Sequence, residues 1–392
     1  LAQTPVMWKK RLHCAPPKIN GWPEMVFKDE QLARLALSSA FEPGDESIGA
    51  LVAEFGPAEL IDRLRTEPNE PDLGRFGRRW QSHNWLQDAA IELERALDDG
   101  IEIISPGTPD WPTQLDDLHE RAPLVLRKKG PLGLRQAASR SVAVVGARAA
   151  TQYGVWVAEE MCAQLASAGW CVISGGAMGI DAASHRGALA LNGPTIAVSA
   201  AGANLAVPAS NHSLFARLFA EGAVISEVPI GANPNRRRFL VRNRVIAALA
   251  PVVVVVEAAL RSGALSTMRE ADAMGRMLCA VPGPTTSALS AGCNELIRSG
   301  GATLVRNADD VVAGVLRVSD DPGSRAQNAA TINLFEQRVI DLCTPRSMSV
   351  ENIAQGVGVS VAACTATLHL LERSGFVMRT VKGWRATSVG PR

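Results

Sequence analysis

Ser141-Val142-Ala143-Val144-Val145 runs into Gly146-Ala147-Arg148, and after a helical stretch Trp170-Cys171-Val172-Ile173 runs into Ser174-Gly175-Gly176-Ala177-Met178-Gly179-Ile180-Asp181. Each apolar run is strand-sized, broken by a glycine turn and followed by a helical pattern, which predicts successive βα units of a parallel sheet. Ligands of such sheets sit beyond the carboxyl ends of the strands. Glycine there lets backbone N–H groups come close to an anion, and the helix N-terminus that follows adds partial positive charge. The pattern points to a ligand carrying phosphate, although a lone glycine turn also serves merely to pack a helix on a strand.

Further strands are expected at residues 195–199, 252–256 and 278–281. The strongest electrostatic signal is Asn235-Arg236-Arg237-Arg238-Phe239-Leu240-Val241-Arg242-Asn243-Arg244, ahead of an apolar helical stretch at residues 245–249. Arginines at a helix start oppose its dipole and repel one another, a local cost that a bound polyanion reverses. Arg148, at the turn after the opening strand, is placed to hold a phosphate bidentately. Asp181 and His185 share a helix face; the spacing would also suit an acid/base pair or metal ligands, but no third ligand is evident. The plainer expectation is a helix-start aspartate with the histidine as its hydrogen-bonded neighbour.

The blocks Val145-Gly146-Ala147-Arg148, residues 174–181 with His185, Arg242-Asn243-Arg244, Ser262-Gly263-Ala264-Leu265 and Val281-Pro282-Gly283, in that order, closely resemble the bacterial DNA-processing protein A (DprA/Smf) family over roughly residues 98–318. The resemblance implies an α/β fold: a Rossmann-like parallel-sheet core with a small N-terminal helical domain and a C-terminal winged-helix domain. It also implies a protein that binds single-stranded DNA, protects incoming strands in natural transformation and loads the RecA recombinase on them. Such a protein would be a homodimer with no cofactor and no reaction of its own. Carried over, Arg148, Arg242 and Arg244 would hold phosphates beside Asn243, with Gly146, Ser174, Gly175, Gly176, Gly179, Ser262 and Gly263 shaping the pocket. Three departures from the family pattern stand out: Ala147 replaces a serine, Leu240 a proline, and the loop at residues 200–208 has Asn204 and Val207 where Asp and Tyr are usual. Few aromatics lie near the motifs, so stacking is expected to contribute less than in many single-strand binders.

A competing reading is a nucleotide phosphoribohydrolase-like enzyme of the lysine-decarboxylase-like group, with Glu257 or Glu270 as acid/base. Thr267-Met268-Arg269-Glu270 is similar to the end of that group's loop, but the Pro-Gly-Gly that precedes it there is absent.

With 392 residues, 47% of them hydrophobic, the chain has material for two or three domains and a sizeable core. A net charge of +1 excludes a uniformly basic nucleic-acid coat, so any such site must be a local concentration of arginine and lysine. Seven scattered cysteines without a Cys-x-x-Cys pair suggest buried free thiols in a reducing cytoplasm. No apolar run approaches a membrane span, so no membrane insertion is expected.

The flanks divide accordingly. Residues 1–97 comprise a Pro-rich leader up to about residue 25 and a helical unit similar to the family's sterile-alpha-motif-like or helix-hairpin-helix-like domain. Breaks fall at Pro43-Gly44 and Gly56-Pro57, and a further helix at residues 85–97. Its acidic Asp45, Glu46 and Glu54 argue against DNA contact. The core spans residues 98–318, with Arg127-Lys128-Lys129-Gly130 read as a solvated charge run or, less favoured, a phosphate contact. A linker at residues 319–328 leads to a domain at residues 329–392, whose three helical patterns and hairpin read as a winged helix. Its third helix offers only His369 and Arg373 as basic residues, which favours a structural or protein-contact role over groove reading.

Overall fold

The computed structural model describes residues 22–317, 334–343, 347–373, 376–380 and 383–387. The first part of the expected leader and the whole expected linker lie outside them.

Five helices come first: α1 (Trp22–Ala40), α2 (Glu46–Phe55), α3 (Pro57–Thr66), α4 (Gly74–Gln81) and α5 (Trp85–Asp98). The breaks at Pro43-Gly44 and Gly56-Pro57 fall where the sequence puts them. Asp45 caps α2 by accepting from the Ser47 and Ile48 N–H groups, and Gly56 takes φ 77°, a left-handed conformation that ends one helix and opens the next. Leu35, Leu37, Leu60, Leu64, Phe76 and Trp80 close this unit's own core.

Next come β1 (Ile101–Ile104), a 3₁₀ segment (Thr113–Arg121), β2 (Leu126–Lys129), α6 (Leu134–Ala138), β3 (Ser141–Val145), α7 (Gln152–Ser167), β4 (Cys171–Ser174), α8 (Ile180–Ala190) and β5 (Thr195–Ser199). They are followed by α9 (His212–Glu221), β6 (Ala223–Ser226), α10 (Arg236–Leu249), β7 (Val252–Val255), α11 (Ala264–Ala273), β8 (Met277–Ala280), α12 (Ala291–Arg298), β9 (Thr303–Leu304) and α13 (Ala308–Arg317). The nine strands form one sheet in the order β1-β2-β6-β5-β4-β3-β7-β8-β9. From β6 to β9 every pairing is parallel, while β1 and β2 add antiparallel at the edge. Helices α7, α8 and α13 bury one face and α10, α11 and α12 the other, as a doubly covered parallel sheet requires. The chain winds outward from β3 through β4 to β6, then returns to β7 on the other side. The strand order thus reverses between β3 and β7, which is where ligands of such sheets bind.

Arg127 and Lys128 depart from expectation. They lie in β2, the first fully buried and the second nearly so, and are neither solvated nor free for phosphate. Arg127 donates from Nε and Nη2 to the two oxygens of Glu92 (2.8 Å each), and from Nη1 to the Glu227 carbonyl (2.6 Å). Lys128 pairs with Asp110 and Glu102, both at 3.1 Å. A buried cation is tolerable only when paired, and here Glu92 of α5 supplies the charge and ties the N-terminal helices to the sheet. Burial raises the Glu92 pKa, but the hydrogen bond and charge of Arg127 outweigh it and hold the carboxyl below its ordinary 4.5. A depressed carboxylate contributes stability that is present above 4.5 and is lost as pH falls through its folded value. The stability gap between wild type and Glu92→Gln in denaturant melts should therefore be constant near neutrality and shrink steadily in acid; a gap that persists undiminished would contradict this pairing.

The last described elements are α14 (Leu334–Leu342), α15 (Val350–Val357), α16 (Val361–Arg373) and the antiparallel hairpin β10 (Val377–Thr380) with β11 (Gly383–Ala386). They share a separate apolar cluster that includes Val339, Ile353, Leu368 and Trp384. The unit leans on the core: Arg379 donates to Asp117 (2.8 Å), which also takes Arg276 (2.8 Å), and Thr365 of α16 packs against Gly275. No described helix is long and apolar enough to cross a membrane. Six of the seven cysteines lie among the described residues, all buried and unpaired.

Candidate nucleic-acid interface

The turns after β3, β4 and β7 meet at the carboxyl ends of the strands. They are bound to one another: Ala147 N–H donates to the Glu257 carbonyl (2.7 Å), Ile180 N–H to the Ala147 carbonyl (3.2 Å), and the Ser174 hydroxyl to the Val144 carbonyl (2.6 Å). The glycines serve this packing. A Cβ on Gly179, which has φ 77°, would run into the Ala147 carbonyl, and one on Gly175 would strike the Arg242 guanidinium and Asp181. A methyl on Gly146 would collide with Ile180.

Arg242, expected on a phosphate, instead lies beneath this floor, 6% exposed. Its Nη1 donates to the carbonyls of Gly175 (2.7 Å) and Val198, fixing the turns after β4 and β5 from below. Burial pushes its pKa down to about 10, against the attraction of Asp181 and with the repulsion of Arg148. Asp181 accepts from the Ala177 N–H (3.3 Å), and its carboxyl is raised by burial even with Arg242 beside it. Asn211 completes the clamp by donating to the Gly176 and Ala177 carbonyls (3.1 and 3.2 Å). His185 is not the partner of Asp181 that its spacing suggests. Its Nδ1 meets the Thr195 hydroxyl (2.8 Å), which itself donates to the Val172 carbonyl, so Nδ1 carries the proton. Burial, with Arg242 and Arg186 nearby, pushes its pKa down to about 3, so the ring is a neutral core strut.

Arg244 faces the opposite way. It is fully buried, and both terminal nitrogens fork onto Glu227 at 3.0 and 2.7 Å. The expectation that it holds a phosphate is corrected here: the side chain is fully buried and its charge is spent on a carboxylate inside the protein. Asn243 is also buried and reaches the Gly263 carbonyl at 3.5 Å, coupling α10 to the start of α11. Ser262 Oγ accepts from the Ala264 N–H (3.2 Å) beside the exposed Gly263.

Solvent meets a different set. Arg148 is exposed, and its guanidinium sits 4.6 Å above the ring of Phe239 on α10. Arg236 and Arg237, in the first turn of the same helix, are exposed, and none of these three arginines forms an ion pair among the described residues. Met178 and Leu240 are about half exposed nearby in the chain. The sequence pattern singles out Arg148 but not Phe239, whose placement beneath that arginine adds an aromatic ring to a site whose motifs carry few aromatics.

The acid/base candidates of the enzyme reading are both occupied. Glu257 is 1% exposed and holds Thr151, the N-cap of α7, accepting from its N–H (2.9 Å) and hydroxyl (2.6 Å). Glu270 takes Arg121 at 2.9 Å. Neither carboxylate faces the rim with a free oxygen pair.

Residues 102–315 match the DNA recombination-mediator protein A family. A putative DNA processing protein DprA of Mycobacterium tuberculosis is 39% identical over 375 residues, 90% of this chain and 94% of that one. Protein Smf of Escherichia coli is 42% identical over 257 residues, 63% of this chain and 67% of that one. Among solved structures, DNA processing protein A of Streptococcus pneumoniae superposes with a TM-score of 0.61 at 29% identity, over 73% of this chain and 97% of that one. The Helicobacter pylori protein, described for its single-stranded DNA binding mode, gives 0.50 at 27% identity, over 55% and 96%. Together with the doubly covered sheet and its arginine-bearing rim, these matches place the chain in the DNA recombination-mediator protein A family.

Proposed function

We propose that the chain binds single-stranded DNA along the carboxyl-end rim, with Arg148, Arg236 and Arg237 on phosphates and Phe239 offering a face to a base. The observation that carries this reading is the exposed Arg148 on the face of Phe239 at the reversal of strand order, with Arg236 and Arg237 exposed in the first turn of the helix that bears that ring and none of the three in an ion pair among the described residues. Beneath it, Arg242 with Gly175, Gly176, Gly179 and Ser174 keeps the turns in shape without touching the strand. The Helicobacter pylori relative's described single-strand binding supports the same ligand here.

In this reading the protein protects incoming single strands during natural transformation and loads RecA recombinase on them. It acts in the cytoplasm as a homodimer and catalyses no reaction. The C-terminal three-helix and hairpin unit acts as a winged helix for protein contact. His369 stacks edge-on against Trp384 and lies near Asp117, which engages that residue within the protein rather than with a groove.

Titration of a short single-stranded oligonucleotide across salt concentrations tests the ligand. Log affinity should fall with log salt by about 0.7 per phosphate neutralised, and a duplex of the same sequence should bind more weakly. Absence of single-strand binding would overturn the reading. Nucleoside monophosphates incubated with the protein should release no free base, and turnover abolished by Glu257→Gln would instead put the phosphoribohydrolase reading first.

A further inference from the structure

Helix α10 opens on Arg236-Arg237-Arg238, three like charges in the turn whose free N–H groups already form the positive end of the helix dipole. Such a turn frays unless something holds it. Asn235 caps it, accepting from the Arg238 N–H (2.9 Å). The charge is answered from another part of the molecule. Glu42, in the loop between α1 and α2, takes Arg238 Nε at 3.1 Å and Nη2 at 2.9 Å, while Nη1 donates to the Asn233 carbonyl (3.1 Å). Arg238 is thereby withdrawn from the rim, and its neighbours Arg236 and Arg237 stay exposed. The same loop seats on the helix a second time. Gly44, at φ 71°, lies so close to Arg244 and Val241 that a Cβ would meet Arg244 Nε at 2.7 Å.

We propose that Glu42 is a positioning residue for the single-strand site, an inference that rests on the reading of the rim given above. By gripping Arg238 with both oxygens, Glu42 sets the first turn of α10 so that Arg236, Arg237 and Phe239 are presented together beside Arg148. The acidic N-terminal helical unit then contributes to DNA binding without touching DNA.

The inference has a sign that simple charge counting does not share. Glu42 is an acid beside an arginine cluster, so as a point charge its removal should strengthen polyanion binding, and freeing Arg238 should steepen the salt slope. Positioning predicts the reverse. Glu42→Gln should weaken single-strand affinity about three- to fivefold, the scale of one partly exposed ion pair, and flatten the slope. The reversed pair Glu42→Arg with Arg238→Glu keeps the net charge and restores the fork, and it should recover most of the loss.

Binding of a short single-stranded oligonucleotide would be measured for wild type, Glu42→Gln, the reversed pair and Arg148→Ala. Weaker binding by Glu42→Gln with recovery in the reversed pair supports the inference. Tighter or unchanged binding by Glu42→Gln, or no recovery, overturns it while a weakened Arg148→Ala leaves the rim standing. If Arg148→Ala binds as wild type does, the rim itself is wrong and the role of Glu42 falls with it.

Discussion

Arg148→Ala is expected to weaken single-strand binding about ten- to a hundredfold, the range of one charge-assisted hydrogen-bonded contact to phosphate. It should also flatten the log–log salt slope by about 0.7, one phosphate fewer. The side chain is exposed and lies on the face of Phe239, so the fold should hold and the loss can be read as a binding effect. Arg148→Lys separates charge from shape. An ammonium keeps the phosphate charge but gives up the planar stack on Phe239 and the bidentate fork, so affinity should fall part of the way while the slope stays near wild type. Arg242→Ala should behave differently. It removes the donor to the Gly175 and Val198 carbonyls and leaves Asp181 buried beside a cavity, so it should lower the melting temperature and disorder the turns. Arg148→Ala that binds as tightly as wild type with an unchanged slope would remove the rim as the DNA site.

The contrast between these arginines shows where sequence reading succeeds and where it stops. The central strands announce themselves through β-branched runs: Val142 to Val145 and Val252 to Val255 are buried on both sides, and the glycine turns mark where each ends. β6 goes unread in the sequence because Ala223–Ser226 is a short run with little to set it apart, and nothing local shows that β2 runs antiparallel to both its neighbours, β1 and β6. The rim was half legible. A motif names residue types at spacings, but Arg242 and Arg244 sit two apart on one helix and so point to different sides. Both are buried, and what each one meets is set by distant segments: the carbonyls of Gly175 and Val198 for Arg242, and Glu227 just after β6 for Arg244. Arg127 and Lys128 were misread for the same reason: their neutralising partners, Glu92, Asp110 and Glu102, come from other elements. Phe239 is visible in the sequence as a residue but not as a platform, since its neighbour Arg148 arrives from the turn after β3.

Arg244→Ala should destabilise the protein by about 3–5 kcal/mol, the cost of leaving one member of a buried ion pair without its partner. At about 2–4 °C per kcal/mol for a unit of this size, the melting temperature should drop by about 6–20 °C. The geometry supports the large figure. Arg244 is fully buried and forks onto Glu227, whose backbone carbonyl is itself held by the buried Arg127, so the carboxylate cannot swing out to water without disturbing β2. Gly44 packs on the same guanidinium, so the loop that carries Glu42 should loosen too. Arg244→Lys should rescue little, because one ammonium cannot meet both oxygens in the fork. Replacing both partners, Arg244→Met with Glu227→Leu, should cost less than Arg244→Ala alone, since no charge is then left buried. Single-strand binding, measured below the melting transition, should keep the wild-type salt slope apart from what a loosened α10 removes from affinity. A melting temperature that barely moves, with a slope flatter by about 0.7, would mean instead that Arg244 turns outward to a phosphate when DNA is bound.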